Sequence, residues 1–407
     1  MIRSILSTCS RTLMDLPSSS LHNKRRSRTG QGDGLESECT PTESTQQRPP
    51  PPKVQLLLPR GKENEFVLAR RSRRRKRSTS GVSLDHLPEE LLLRIYSCLP
   101  LHDLLRVSGV CRRWHRLASD ESLWHSVDLE GLTHMGPALQ QVLRTRVRRL
   151  RCPRAFVEEL YLTDSSPLHI VELDLSSSII PTSALQNIVG RCTLLHHLSL
   201  EGLQLSDSII SCLMKNSNLL QLNLSSCSGF SSAALTELLQ SCCRLQQLNV
   251  SWCSFSRNHV KSVMGHLSPT VSALNLSGYR ENLTLDDVKV LVDRCPHIQT
   301  LDLSDSTLLM ADSFLVLRQL RKLLHLSLSR CYHIHLAALS DLKQMFPTLR
   351  FLDIFGLVQE NQLSSLKEQL PHISINSRPF SAVARPTPAS RPDRSMWSRT
   401  CRLRVGP

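Results

Sequence analysis

The chain has 407 residues, enough for two or three domains, and its 40% apolar content supports a sizeable core. Its formal net charge of +15 sits at the ends: residues 1–83 carry 17 Lys/Arg against 7 Asp/Glu, residues 377–407 carry 7 against 1, and the stretch between carries 26 against 27. A near-neutral body excludes a nucleic-acid-binding surface across it and leaves RNA binding through the tails as the one reading of that class.

The N-terminus "MIRSILSTCSRTLMD" has no apolar core long enough for secretion, and no run of 18 apolar residues predicts a membrane span. Its Arg/Ser-rich, acid-poor composition also fits a mitochondrial presequence. Fourteen cysteines without a secretory signal point to reduced thiols packed as small apolar groups.

Residues 1–83 read as disordered, because "QQRPPPPKV" (46–54) and the Ser/Thr/Arg clusters offer too little apolar surface to order a chain. Within them "RRSRRRKR" (70–77) supplies Arg70, Arg71, Arg73, Arg74, Arg75, Lys76 and Arg77, the dense basic run of a nuclear-import signal. Nucleus and cytoplasm are the expected locations. Ser78 and Ser80 follow arginines, as basophilic kinases prefer, and phosphate there would cut the local positive charge. Lys62, Glu63 and Asn64 match a degradation signal read by the anaphase-promoting complex.

Residues 84–125 predict three short helices. Pro88 suits a first helical turn, with Glu89 and Glu90 at its positive end and Leu91, Leu92, Ile95 and Leu99 at helical spacing. Leu104 and Leu105 mark a second helix, and Val110, Trp114 and Leu117 a third. One core of about 40 residues cannot hide so many large apolar side chains. Either the segment caps the next domain, or it is half of an interface with another chain's helices.

From about 126 to 376 the chain repeats itself. The second leucine of each L-x-x-L-x-L falls at 173, 198, 222, 248, 274, 301, 326 and 352, with weaker copies in "WHSVDL" (124–129) and "VRRLRC" (147–152). The spacing predicts about ten leucine-rich repeats, an α/β solenoid in which stacking buries the leucines. Residues between the leucines then line a concave sheet face as a polar, mildly acidic strip: Asp174, Glu201, Asn223, Asn249, Asn275, Asp302 and Asp353. Cys227, Cys253 and Cys331 share one repeat slot, and Cys192, Cys243 and Cys295 close repeat helices, so packing rather than metal binding is expected.

One column past the strands reads Ser177, Gly202, Ser226, Trp252, Gly278, Asp305, Arg330, Gly356. Most members are small. Trp252, Asp305 and Arg330 stand out, with Arg280 and Tyr332 two residues beyond the column in adjacent rows, and this mixture has the composition of a binding hot spot. No glycine-rich phosphate loop, H-E-x-x-H pair or nucleophile elbow occurs, so neither catalysis nor a cofactor is expected.

"LPEELLLRIYSCLPLHDLLRVSGVCRRWHRLASDESLW" resembles an F-box. The resemblance implies docking on a Skp-type adaptor, which links the chain to a cullin and a RING subunit and makes it the substrate receptor of a ubiquitin ligase. The other reading is a non-catalytic repeat scaffold or inhibitor that binds a protein partner without ubiquitination. The docking positions would be Leu87, Pro88, Leu91, Leu92, Ile95, Leu104, Leu105, Val110, Cys111 and Trp114, with Trp124 packing back on the repeats. The F-box followed by repeats carrying "LSGYRENL" (276–283), "LDLSDS" (301–306), "LSLSRCY" (326–332) and "ARPT" (384–387) is similar to the vertebrate S-phase kinase-associated type of F-box protein. That likeness implies a Cks-type kinase subunit and a phosphorylated Kip-type inhibitor at Trp252, Arg280, Asp305, Arg330 and Tyr332. It also implies a cyclin–kinase complex as a further partner and a C-terminal segment folded over the concave face.

Overall fold

The structure, a computed structural model, describes residues 84–132, 135–157, 160, 165–386, 395–396, 399–401 and 403–404. The basic run 70–77, Ser78, Ser80 and the KEN sequence at 62–64 lie outside them. The described residues from Leu87 onward pack as one compact unit, and Leu84–His86 forms a 3-10 turn.

Three short helices open the unit: α1 (Glu89–Tyr96), α2 (Leu101–Ser108) and α3 (Arg112–Ala118). Pro88 and Pro100 stand just before the first two, where a missing N–H costs nothing. Cys111 caps α3, its sulfur accepting the Trp114 N–H at 3.5 Å. Val110 therefore lies in the turn ahead of α3, not on the helix that its spacing suggested. Leu92, Tyr96, Leu101, Leu104, Leu117 and Ala118 fill the core of the triplet, and Trp124 is buried with its indole N–H on the Ala118 carbonyl at 3.0 Å.

Eleven strands of two or three residues follow: β1 (Ser126–Asp128), β2 (Arg149–Arg151), β3 (Glu172–Asp174), β4 (His197–Ser199), β5 (Gln221–Asn223), β6 (Gln247–Asn249), β7 (Ala273–Asn275), β8 (Thr300–Asp302), β9 (His325–Ser327), β10 (Phe351–Asp353) and β11 (Ser374–Ile375). All pair in parallel with their sequence neighbours. The register puts Leu173, Leu198, Leu222, Leu248, Leu274, Leu301, Leu326 and Leu352 side by side, all of them buried. The repeat period is thus the pairing register. Helices such as Ser232–Ser241 and Leu285–Arg294 return the chain on the convex side, started by Ser231 and by a Thr284–Asp287 capping box.

The thiols of Cys227, Cys253 and Cys331 are buried and donate to carbonyls of the preceding repeat, those of Leu200, Leu224 and Leu303. Burial pushes the Cys253 and Cys331 thiols up to about 12. One slot differs from the sequence reading: Cys242, not Cys243, closes its helix inside the core, and Cys243 is exposed.

The concave strip also differs. Asp174, Asn223, Asn249, Asn275, Asp302 and Asp353 are buried. The first five turn Oδ1 onto the main-chain N–H two residues on, at 3.0 to 3.1 Å, in Ser176, Ser225, Ser251, Ser277 and Ser304. Each is an Asx turn that ends its strand. They brace the sheet rather than offer an acidic surface.

The C-terminal segment lies along this face. The Arg378 N–H donates to Asp353 at 3.2 Å, and its guanidinium lies 4.1 Å above the Phe351 ring centroid. Arg385 pairs with Glu201 at 3.0 Å. A two-stranded antiparallel ribbon, β12 (Ser395–Met396) and β13 (Arg399–Thr400), precedes β14 (Leu403–Arg404), which pairs in parallel with β1 and sets Leu403 beside Val127. The tail thus extends the sheet by a twelfth strand, next to α2.

Candidate protein-interaction surfaces

Two surfaces stand out. On the helical triplet, Leu91 is 48% exposed, Ile95 45% and Val110 63%, with Pro88 and Cys111 also open. Leu91 and Ile95 are one turn apart on α1, so they share a face. Leu92 and Leu104 do not belong to it: they are 1% and 0% exposed and hold the triplet together, so the docking patch loses both. Leu87 and Trp114 are half-buried, Trp114 edge-on to Tyr96 at 6.2 Å between ring centroids. The Leu105 side chain is outside the described set. Arg113 ties α3 to the Leu87 carbonyl at 2.5 Å, and Arg116 pairs with Glu89, so the patch sits on braced helices.

The second surface is the rim just past the strands. Every member of the Trp252 column has left-handed backbone: Ser177, Ser226, Trp252, Asp305 and Arg330 have φ between 55° and 60°, and Gly202, Gly278 and Gly356 between 69° and 92°. Arg154 and Gly131 extend the pattern into the weaker repeats. The three glycines are there because Gly adopts this conformation without strain, whereas Ser177 and Ser226 bear it like the larger residues. A side chain there costs about 1–2 kcal/mol. Arg280, at φ 44°, carries the same strain outside the column.

Two of the large side chains are each seated on a glycine of the next repeat. A Cβ added to Gly278 would come within 2.7 Å of the Trp252 indole, so the ring lies flat on this glycine. Trp252 remains 44% exposed. Arg330 rests its stem on Gly356 and binds Asp305 in a two-pronged pair, Nε to Oδ1 at 2.7 Å and Nη2 to Oδ2 at 2.5 Å. The Asp305 hydrogen bond raises the Arg330 pKa further above its usual value. Asp305 is itself largely buried and reaches the surface only at its edge, so its main role is to position Arg330. Beneath this row, Tyr279, Phe255 and His259 stack, and the Tyr279 hydroxyl bonds the Val250 carbonyl.

Trp252, Arg280, Asp305, Arg330 and Tyr332 line one open hollow of about 480 Å³, completed by Glu281 and Thr307. Tyr332 is 60% exposed. Glu281 and Thr307 escaped the sequence reading. Thr307 carried a signal, since it lies two residues past its column member, as Arg280 and Tyr332 do. Among the described residues no group of three or more His, Cys, Asp or Glu side chains is placed to hold a metal.

With this geometry in view, comparison with known families is decisive for the repeats: the SKP2 LRR domain family matches residues 137–404. The chain belongs to that family. Residues 84–130 match the F-box-like family. Among individual proteins, human F-box/LRR-repeat protein 12 is 44% identical over 62 residues, 15% of this chain and 19% of the relative. The F-box protein SKIP19 of Arabidopsis thaliana is 23% identical over 251 residues, 61% of this chain and 70% of that protein. The match thus spans about a fifth of the first relative's length. Among solved structures, the leucine-rich repeat-containing protein LegL7 of Legionella pneumophila aligns with a TM-score of 0.36 at 19% identity, covering 55% of this chain and 80% of that one.

Proposed function

We propose that this chain is the substrate-recognition subunit of a Skp–cullin–F-box ubiquitin ligase, and that it carries phosphorylated cell-cycle regulators to the ligase in nucleus and cytoplasm. The observation that carries the reading is the pairing of two unlike open surfaces on one unit: Leu91, Ile95 and Val110 at one end, and the strained rim around Trp252 on the solenoid. Three aliphatic side chains left about half exposed each forgo part of the roughly 1.5–3 kcal/mol that full burial returns. A Skp-type adaptor's apolar helices would recover it.

The rim has an aromatic anchor, two arginines and a tyrosine. It suits a Cks-type kinase subunit that presents a phosphorylated Kip-type inhibitor, with any cyclin–kinase complex arriving through the inhibitor. The ubiquitin chemistry takes place on other subunits. This chain contributes by raising the effective concentration of substrate lysines near the loaded conjugating enzyme. The test is ubiquitin transfer to a phosphorylated Kip-type inhibitor with reconstituted adaptor, cullin and RING subunits. Transfer that needs both phosphate and the Cks subunit supports the full reading. Adaptor binding without transfer keeps the F-box role and removes this substrate.

A further inference from the structure

We propose that the concave face contains a second partner site, specific for a tight arginine-bearing turn, and that residues 382–386 of this chain occupy it as an internal ligand. The site adjoins the Trp252 rim, since Trp252, Asp305 and Arg330 line the same cavity as Arg385, but its gripping residues Gln247, Asn249 and Glu201 are not rim residues and its existence does not depend on the ligase reading.

The recognition is built by solenoid side chains. Gln247 and Asn249, on the same strand, grip a single peptide group from both sides: the Gln247 Oε1 accepts the Ala384 N–H at 3.0 Å, and the Asn249 Nδ2 donates to the Val383 carbonyl at 3.2 Å. The peptide group belongs to a turn closed by the Arg385 N–H on the Ala382 carbonyl at 3.3 Å. Val383, Ala384 and Pro386 are buried. Arg385 then reaches Glu201 at 3.0 Å, whose second oxygen is held by the Asn223 Nδ2 at 2.9 Å. A clamp for main chain, a snug place for small side chains and an oriented carboxylate for a guanidinium make a turn-reading site.

Three observations mark the tail as an imperfect occupant. Ala384 is held at φ 52°, where Gly belongs. The Arg385 Nε is buried without a hydrogen-bond partner among the described residues. A cavity of about 270 Å³ also persists where residues 378–381 pass over Ser277, Asp302 and His325. None of the contacts requires the turn to be part of this chain. The tail holds the site through its high effective concentration, and a better-fitting turn on a partner can displace it.

Labelled peptides FSAVARP (residues 380–386) and FSAVGRP, titrated against the full chain, test this. Arg385→Glu sets like charges against Glu201 and should open the site, with Arg385→Ala as a milder second variant. We expect both variants to bind FSAVARP at least ten-fold more tightly than the unaltered chain does. FSAVGRP should bind more tightly still, because glycine relieves the left-handed position. Adding Glu201→Arg to the Arg385→Ala variant should abolish binding. Equal binding to the unaltered chain and both variants, no binding to either variant, or binding indifferent to Glu201→Arg would each overturn the proposal. So would a concentration-dependent dimer of the unaltered chain that Arg385→Glu abolishes, which would assign the site to the tail of a second copy.

Discussion

The two exposed surfaces are built in opposite ways. The helical patch puts ordinary aliphatic side chains on a helix and the turn before the third helix, and its energy lies in apolar area left in water. The rim puts Trp252, Arg280 and Arg330 on left-handed backbone that costs free energy at each site, then seats two of them on glycines of the next repeat. A surface of the first kind tolerates repacking and fails only when its polarity is reversed. One of the second kind depends on position, so small changes to neighbours that touch no partner should be felt.

The largest difference should come from adjacent leucines on α1. Leu92→Ala empties a core site and should lower unfolding free energy by about 2–5 kcal/mol, read by denaturant unfolding. Leu91→Asp with Ile95→Asp alters only exposed positions, so it should leave unfolding nearly unchanged and abolish co-purification with the adaptor. Retained adaptor binding would remove this face from the interface. At the rim, Trp252→Ala should weaken partner binding by about 2 kcal/mol or more in calorimetry. The fold should be unharmed.

Much of this contrast was legible in sequence, for different reasons. Leucine spacing set the register outright, because residues sharing a repeat slot must stack. The docking face was legible only as a set: helical spacing brought Leu91, Leu92 and Ile95 together, but the side that faces inward depends on where α2 and α3 pack. Leu92 and Leu104 were therefore misassigned. At the rim the column was visible, yet its glycines looked like tolerance when their cause is a positive φ. The concave Asn and Asp residues read as a surface because alternation says which way a side chain points, not that its oxygen will fold back onto the chain. Nothing in the spacing of residues 377–407 announced that Leu403 would complete the leucine row.

A smaller effect should follow at Gly278, where a side chain would meet two obstacles. Its φ of 92° disfavours any Cβ, and the Trp252 ring occupies the space. Gly278→Ala should cost about 1 kcal/mol of stability or somewhat more. It should also weaken partner binding by less than Trp252→Ala does, since the indole is displaced rather than lost. If binding is unaffected while stability falls, the seat matters to the fold alone.

The smallest expected effect separates position from charge at Asp305. The Arg330 side chain in this pair is substantially exposed, and such pairs contribute about 0–1 kcal/mol to stability, so Asp305→Asn should hardly move the unfolding midpoint. The amide can still accept one hydrogen bond from Arg330 but cannot hold its two nitrogens as a carboxylate does. Arg330 would keep its charge and lose its fixed direction. Partner binding should therefore weaken measurably while fold stability stays level. Arg330→Lys, which keeps the charge but not the planar fork, should weaken binding similarly. If both variants bind as the parent does, Arg330 acts as a point charge, and only the Trp252 half of the rim depends on precise seating.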